Sequence, residues 1–308
     1  PHDWDICTSA LPEELESVLA DFRIHETGIR HGTVMVMSGG EGFEITTFRT
    51  EGAYTDHRRP DSVRFVRDLA SDLARRDFTI NAMAYHSKFG LVDLYDGRED
   101  LKNGLIRAVG EPEERFSEDA LRILRALRFA GRFDFQIESA TAEAIHRCRE
   151  DLHRIAAERV FAELKELLVS PGCARLMLEF RDVFAVILPE VEPLFDFDQN
   201  NPHHDSDGWH HTARTVAAVR PDVVLRLSAL LHDTGKPDCK TRDEAGISHF
   251  YGHNRRSKEL AHAALLRLRC DNDTRLQVQT LVGMHDSPMP QTMAQTRRFL
   301  GKYGLELT

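Results

Sequence analysis

Ser117-Glu118-Asp119-Ala120-Leu121-Arg122-Ile123-Leu124-Arg125-Ala126-Leu127-Arg128-Phe129 reads as a helix. Ser117 is placed as its N-cap, with Glu118 and Asp119 at the positive end of the helix dipole. Leu121, Leu124 and Leu127 recur every three residues with Ile123 beside them, which makes one apolar stripe. Asp119, Arg122, Arg125 and Arg128 form a second line at the same spacing. Residues three apart on a helix are neighbours, so Asp119 and Arg122 present an acceptor beside a fork of donors. As an ion pair on a solvated face this would be common and weak. Three arginines at one period ask for an anionic partner, a nucleotide or RNA.

Upstream of this helix the pattern is mixed α and β. Residues 33–37 and 43–48 are β-rich runs separated by a Ser38-Gly39-Gly40-Glu41-Gly42 break of hairpin type. Pro12 to Phe22 has a helical pattern with Pro12 in the first turn. Residues 49–61 are polar and turn-rich and read as a mobile loop. Leu69 to Tyr85 reads as helix, and Leu91 to Gly97 as a short strand entering a turn. From Glu111 onward nearly everything is helical, with candidate helices at 117–131, 138–151, 155–169, 172–179, 208–219, 222–232, 254–269 and 273–285. Asn200 to Asp205 reads as a linker or entry loop.

A chain of 308 residues exceeds what one core usually holds, so two or more domains are expected. It has no run of about 18 apolar residues, so no membrane span is expected. The five cysteines are scattered without a CxxC pair, which argues against a cysteine zinc ribbon and for a reducing, cytoplasmic compartment. The formal charge of −10 argues against blanket nucleic-acid binding but allows a local basic track.

Asp3-Trp4-Asp5-Ile6 puts two carboxylates two apart, on one face if the piece is a strand. Two carboxylates on one face repel unless a cation lies between them, the arrangement that two-metal phosphoryl transfer requires. Glu44, on a later β-run, is a candidate third carboxylate. A solvated acidic pair is the plainer alternative for a lone DxD.

The DxD has company. DWDICTSA (3–10), RRDFTINAMA (75–84), DGREDLKNGLIR (96–107) and EDALRILRALRF (118–129) together, in order, resemble motifs A to D of the class II tRNA nucleotidyltransferases, the CCA-adding enzymes and related bacterial poly(A) polymerases. The resemblance covers about residues 1–170. It implies an α+β fold: a mixed-sheet nucleotidyltransferase head over 1–110, a nucleotide-selecting helical neck over 111–170, and a helical body over 171–308. It also implies a Gly-Gly-x-Val-Arg-Asp loop upstream of motif A, so the head is expected to be truncated at its start. Asp3 and Asp5 would bind catalytic Mg²⁺, with Glu44 beside them. Arg76, Asp77 and Asn81 would lie by the nucleotide's ribose and phosphates, and Asp119 and Arg122 would pair with the base. Cytosine and adenine each offer an amino donor next to a ring acceptor, matching an Asp acceptor beside an Arg donor. Uracil and guanine put a carbonyl where the carboxylate needs a donor, and an unpaired buried acceptor costs roughly 1–3 kcal/mol. Arg125 and Arg128 suit phosphates, with packing against acidic neighbours as the alternative. Asp77 has a second reading as the cap of the helix after it.

A second constellation lies downstream. Trp209-His210-His211, His232-Asp233-Thr234-Gly235-Lys236-Pro237, His253 and His285-Asp286 have the layout of metal ligands on successive helices. The set resembles HD-domain phosphohydrolases. That resemblance implies His211, His232, Asp233 and Asp286 as ligands of a divalent metal, with His253 and His285 for a second. His249, four residues before His253, is a lesser candidate.

The expected activity is addition of C and A from CTP and ATP to the tRNA 3′ end. CC-only, A-only or poly(A) addition are alternatives within the class. An HD phosphohydrolase acting on RNA ends or nucleotides, or a non-catalytic RNA-binding module, are alternatives outside it.

Overall fold

A computed structural model describes residues 5–28, 32–52, 63–199, 207–288 and 290–303. The first elements are β1 (Asp5–Thr8), α1 (Pro12–Val18), β2 (Arg23–Gly28), β3 (Thr33–Ser38) and β4 (Glu41–Thr47). They build a four-stranded sheet in the order β1-β4-β3-β2, with β1 parallel to β4 and the other pairs antiparallel. Alternation decides its faces. Val34 and Val36 are buried and pack with Leu15 of α1, with Ile45 against the same cluster. Glu44, one residue before Ile45, therefore leaves the opposite face, and so does its register partner Asp5. A fully buried valine or leucine contributes roughly 1.5–3 kcal/mol, and this small core fixes which face the carboxylates take.

β5 (Arg49–Glu51) and β6 (Val63–Phe65) pair antiparallel, so the first three residues of the expected 49–61 loop are strand. The rest of that loop, from 53 on, lies outside the described residues. α2 spans only Leu69–Ala74, capped by the Asp68 carboxylate on the Ser71 amide. The helix expected to Tyr85 stops there. Phe78 is extended and bridges Ala108, a single 3₁₀ turn covers Thr79–Asn81, and β7 (Met83–His86) pairs with β8 (Gly90–Asp93). The reason is burial. Phe78 is fully buried and Ile80 nearly so, and the extended bridge lets Thr79 donate its N–H to Arg107 O. α3 (Gly97–Asn103) and β9 (Leu105–Ile106) follow.

The opening helix is also two helices. α4 (Pro112–Glu118) ends where Asp119 turns extended (φ −140°, ψ 101°), and α5 runs Leu121–Phe133. Ser117 is therefore not an N-cap; inside α4 its hydroxyl donates to Glu114 O. The capping acceptor for α5 is Asp119, whose Oδ1 takes the Leu121 N–H at 3.1 Å. The apolar stripe holds: Leu121, Ile123, Leu124 and Leu127 are all buried.

Beyond it come β10 (Gln136–Ile137), α6 (Ser139–Cys148), α7 (Ala157–Leu168), α8 (Cys173–Glu179), α9 (Arg181–Ile187), α10 (Gly208–Ala218) and α11 (Val223–Leu231). β11 (Thr241–Arg242), β12 (Ser248–His249), α12 (His253–Arg267), α13 (Asn272–Met284) and α14 (Met293–Tyr303) complete the described elements. α9, α14 and the β11–β12 hairpin were not expected. The α+β class, a mixed-sheet head followed by helices, stands as expected. The chain forms two compact units, 1–122 with 138–144, and 123–137 with 145–308. Among the described residues no helix is long and apolar enough to cross a membrane.

Candidate functional site

In the first unit, Asp5 and Glu44 are aligned partners of a parallel pair and both are exposed. Asp3 lies outside the described residues. Arg76 follows α2. Its Nη1 donates to Asn81 O at 3.0 Å and its Nη2 lies 3.4 Å from Asp72 Oδ2, while its Nε is buried without a hydrogen-bond partner. Burial pushes the Cys7 thiol of β1 up and the Arg76 guanidinium pulls against it, which places Arg76 within electrostatic reach of the strand carrying Asp5. Asp77 Oδ1 accepts from Phe78 N at 2.8 Å and from Asn81 Nδ2 at 3.1 Å, so it holds the turn that presents both.

Arg122 is 8% exposed. Its Nη1 donates to Glu118 Oε2 at 2.6 Å and to Arg115 O at 3.2 Å, and its Nη2 to Arg75 O at 3.0 Å. The start of α5 is thereby tied to the end of α2, next to Arg76. These contacts use three of the five guanidinium N–H groups. A base edge must engage the rest of the fork or displace one of them. In the second unit Arg128 Nε sits 2.5 Å from Glu163 Oε2 and Arg125 Nη1 3.7 Å from Glu163 Oε1, the acidic packing weighed from the sequence.

The second unit also holds the histidine–aspartate cluster. Trp209 is buried and donates Nε1–H to Met177 O at 3.0 Å, which anchors α10 and sets His211 on its inner side. α11 is buried from Arg226 to Leu231 and apolar apart from Arg226 and Ser228, and it delivers His232 and Asp233 at its end. Gly235 then lets this turn press on α12: a Cβ there would stand 2.6 Å from Ser257 N and 2.7 Å from His253 O. His232 Nε2 lies 3.1 Å and His211 Nε2 3.5 Å from Asp233 Oδ2. His253 Nε2 lies 3.5 Å and His285 Nε2 3.6 Å from Asp233 Oδ1. Among the described residues the ligand atoms fall into two groups that share Asp233, His211–His232–Asp233 and Asp233–His253–His285. Asp286 is half exposed, 3.4 Å from His253 and 3.7 Å from His285, so it stands by the second group. His249 belongs to neither group and bonds Asp243 Oδ2 at 2.9 Å.

The donor chemistry of the cluster fits a cation. The Nδ1 atoms of His232, His253 and His285 sit 2.7–2.8 Å from the carbonyls of Ala229, Phe250 and Val282. A carbonyl only accepts, so each Nδ1 carries the proton and each Nε2 aims a lone pair inward. Asp233 is 2% exposed and neither of its oxygens has a hydrogen-bond partner, although Lys236 Nζ approaches Oδ2 to 2.7 Å. With lone pairs on the Nε2 atoms, the positive charge beside the buried Asp233 carboxylate is the Lys236 ammonium. Acceptors converging on an ionised carboxylate are the ligand set of a divalent ion.

Residues 1–107 match the poly(A) polymerase head domain, and residues 134–195 match the probable RNA- and SrmB-binding site of polymerase A. A CCA-adding enzyme of Ligilactobacillus salivarius (strain UCC118) is 46% identical over 216 residues, 68% of this chain and 53% of the relative. One from Leuconostoc mesenteroides subsp. mesenteroides is 52% identical over 189 residues, 61% of this chain and 47% of the relative. The chain belongs to the class II tRNA nucleotidyltransferase family. The crystal structure of Bacillus stearothermophilus CCA-adding enzyme in complex with CTP superposes with a TM-score of 0.66 at 30% identity, covering 99% of this chain and 66% of that one. The chain spans about half the length of the curated relatives it matches.

In this tRNA nucleotidyltransferase chain the sequence reading missed the residues that hold the arginines. Asp72 is 1% exposed and lies 2.7 Å from Arg75 and 3.4 Å from Arg76. Glu118 holds Arg122 and, at 2.6 Å, Arg115. Both stand three and four residues from their partners, the helical spacing that could have found them. Lys236, three after Asp233, also bonds Gln199 Oε1 at 2.9 Å.

Proposed function

We propose that the protein adds C and A from CTP and ATP to the 3′ end of tRNA, with a head over 1–110, a neck over 111–170 and a body over 171–308. The observation that carries this is the Asp5–Glu44 pair, two carboxylates aligned on neighbouring strands of a head domain and facing away from its core. With Asp3 they are the oxygen ligands a Mg²⁺ site needs. Bound there, divalent ions would stabilise the attacking 3′ oxygen and the leaving pyrophosphate. The chain's own part is positioning. Arg76, Asp77 and Asn81 orient the ribose and phosphates, and Asp119 and Arg122 read the Watson–Crick edge. Arg125 and Arg128 offer charge to phosphates beyond what Glu163 neutralises. The test is incorporation of labelled CTP and ATP, under Mg²⁺, onto a tRNA lacking its CCA end. The expected result is ordered addition of two C and one A. Incorporation of neither nucleotide refutes the reading, and C alone, A alone or an A tail selects a narrower member of the class.

The cluster supports a second activity, a metal-dependent phosphohydrolase in the second unit. His211, His232 and Asp233 hold one ion, and Asp233, His253 and His285, with Asp286 beside them, hold another. The imidazole-rich set suits a transition-metal ion better than Mg²⁺. Such ions would supply Lewis-acid activation for phosphoester hydrolysis. A His232→Ala/Asp233→Ala variant is expected to lose Mn²⁺ binding and hydrolysis of adenosine 2′,3′-cyclic phosphate while nucleotide addition continues. Loss of both activities argues against separate sites.

A further inference from the structure

We propose that Asp72 is a positioning residue for nucleotide addition. Without touching the nucleotide, its buried carboxylate sets Arg76, the proposed phosphate contact, and acts through Arg75 on Arg122, the proposed base reader. The inference rests on the nucleotide-addition reading. Asp72 lies in α2, is 1% exposed, and its two oxygens have different partners. Oδ1 accepts from Arg75 Nε at 3.0 Å, from Arg75 Nη2 at 2.7 Å and from Arg49 N at 3.2 Å. Oδ2 accepts from Arg76 Nη2 at 3.4 Å. An ion pair at this spacing on a solvated face would add little. A buried carboxylate gathering charged donors from two elements holds their geometry as well as their charge.

The Oδ1 side extends in two directions. Arg49 opens β5, which follows β4, the strand of Glu44, after a single residue. Arg75 Nε also donates to Arg49 O at 3.1 Å, so Arg49 is held by its N–H through Asp72 and by its carbonyl through Arg75. In the other direction lies the C-terminal end of α2, where the last carbonyls of a helix have no partner within it. Arg115 Nη1 donates to Ala74 O at 3.2 Å, and Arg122 Nη2 to Arg75 O at 3.0 Å. A continuous set of bonds therefore runs from β5 through Asp72 and Arg75 to Arg122. The Oδ2 side is shorter and ends on Arg76, whose Nη1 is fixed by Asn81 O at 3.0 Å. A shift of about 1 Å in a group that positions substrate can cost about a hundredfold in rate, so the residue that sets both arginines bears on nucleotide use.

Single-nucleotide incorporation onto a tRNA lacking its CCA end, with each of the four triphosphates, reads the two arms separately. In Asp72→Asn the amide oxygen can take the place of Oδ1 and keep Arg75 and Arg49, while the N–H₂ then faces an Arg76 donor and releases it. KM for CTP and ATP should rise about tenfold, with kcat and the KM for tRNA within about twofold and the preference for C and A over U and G retained. Arg75→Lys replaces a planar fork by a point charge that cannot hold Asp72 and Arg49 O in the same geometry. Here the preference for C and A should fall about fivefold, because Arg75 O no longer fixes Arg122. A lower kcat with unchanged KM in Asp72→Asn, which is what a loss of folded molecules gives, overturns the inference. So do wild-type kinetics and nucleotide choice in either variant, and both results leave the nucleotide-addition reading standing. A wild type that incorporates neither CTP nor ATP overturns both.

Discussion

Glu118 Oε2 accepts from Arg122 Nη1 at 2.6 Å, and the same guanidinium caps Arg75 O at the end of α2. Arg122 is therefore a structural tie as well as the proposed base reader. Removing it leaves Glu118 and two carbonyls without this donor, at a cost of roughly 1–3 kcal/mol, so Arg122→Ala mixes selection with stability.

Asp119→Asn separates the two. The amide oxygen can still accept from Leu121 N, so the α5 cap survives and the melting temperature should stay within about 2 °C. The acceptor pair offered to cytosine and adenine is broken, because one oxygen becomes an N–H₂. The expected outcome in single-nucleotide incorporation with all four triphosphates is at least a tenfold loss of preference for C and A, about 1.4 kcal/mol. Unchanged nucleotide choice would mean that this helix is not the template.

Asp5→Asn should abolish nucleotide addition, by about a thousandfold or more, with little change in stability. Asp5 is exposed and its face of the sheet is not the one packed on α1, and exposed substitutions usually move stability by less than about 0.5 kcal/mol. Hydrolysis at the cluster should be untouched, since Asp5 lies in the first unit and the histidines in the second. Chelation followed by Mg²⁺ should restore addition in the wild type and leave the variant inactive. Substantial turnover by the variant in a primer-extension assay would remove Asp5 from the metal site.

The parts of this molecule that were legible in sequence are those in which side-chain type and spacing carry the information. The Leu121–Leu124–Leu127 stripe is buried as its period requires, and His211, His232, Asp233, His253 and His285 converge although they come from separate elements. The missing parts depend on tertiary pairing. Ser117 has the chemistry of an N-cap, but the backbone breaks two residues later, at Asp119, where the carboxylate can cap α5. Leu69–Tyr85 has helical apolar spacing, yet Phe78 gains more from an extended bridge to Ala108, a partner thirty residues away. The β11–β12 hairpin has only two residues in each strand and offered no alternating run to read.

Gly235→Ala should damage the cluster without touching a ligand. The added methyl would meet the backbone of Ser257 and His253 at 2.6 and 2.7 Å, and neither neighbour is a flexible side-chain end. The turn bearing His232 and Asp233 must then move off α12, at a cost of about 1–3 kcal/mol. Mn²⁺ affinity by titration calorimetry should fall at least tenfold while nucleotide addition is kept. Wild-type Mn²⁺ binding in this variant would show that the close approach is not needed to assemble the ligands.

Asp207 links acid stability to the same cluster. Its Oδ1 accepts from Trp209 N and His210 N at 2.9 Å and caps α10, the helix that carries His211. Burial would push the carboxyl up, but the bonds from the His210 amide and ring and from the Trp209 amide outweigh it, and the group sits below its ordinary value of 3.8. A depressed folded value means that the folded state favours the ionised form. The contribution is therefore present above about pH 4 and is lost as pH falls through the lower folded value. Asp207→Ala removes a cap and should cost about 1 kcal/mol at pH 7. The difference in unfolding free energy between wild type and variant should shrink below pH 4, because the protonated wild-type carboxyl is itself a poorer cap. Urea melts at pH 7, 5 and 3 give the comparison, and a difference that stays constant across that range would show that the ionised carboxylate is not what holds α10.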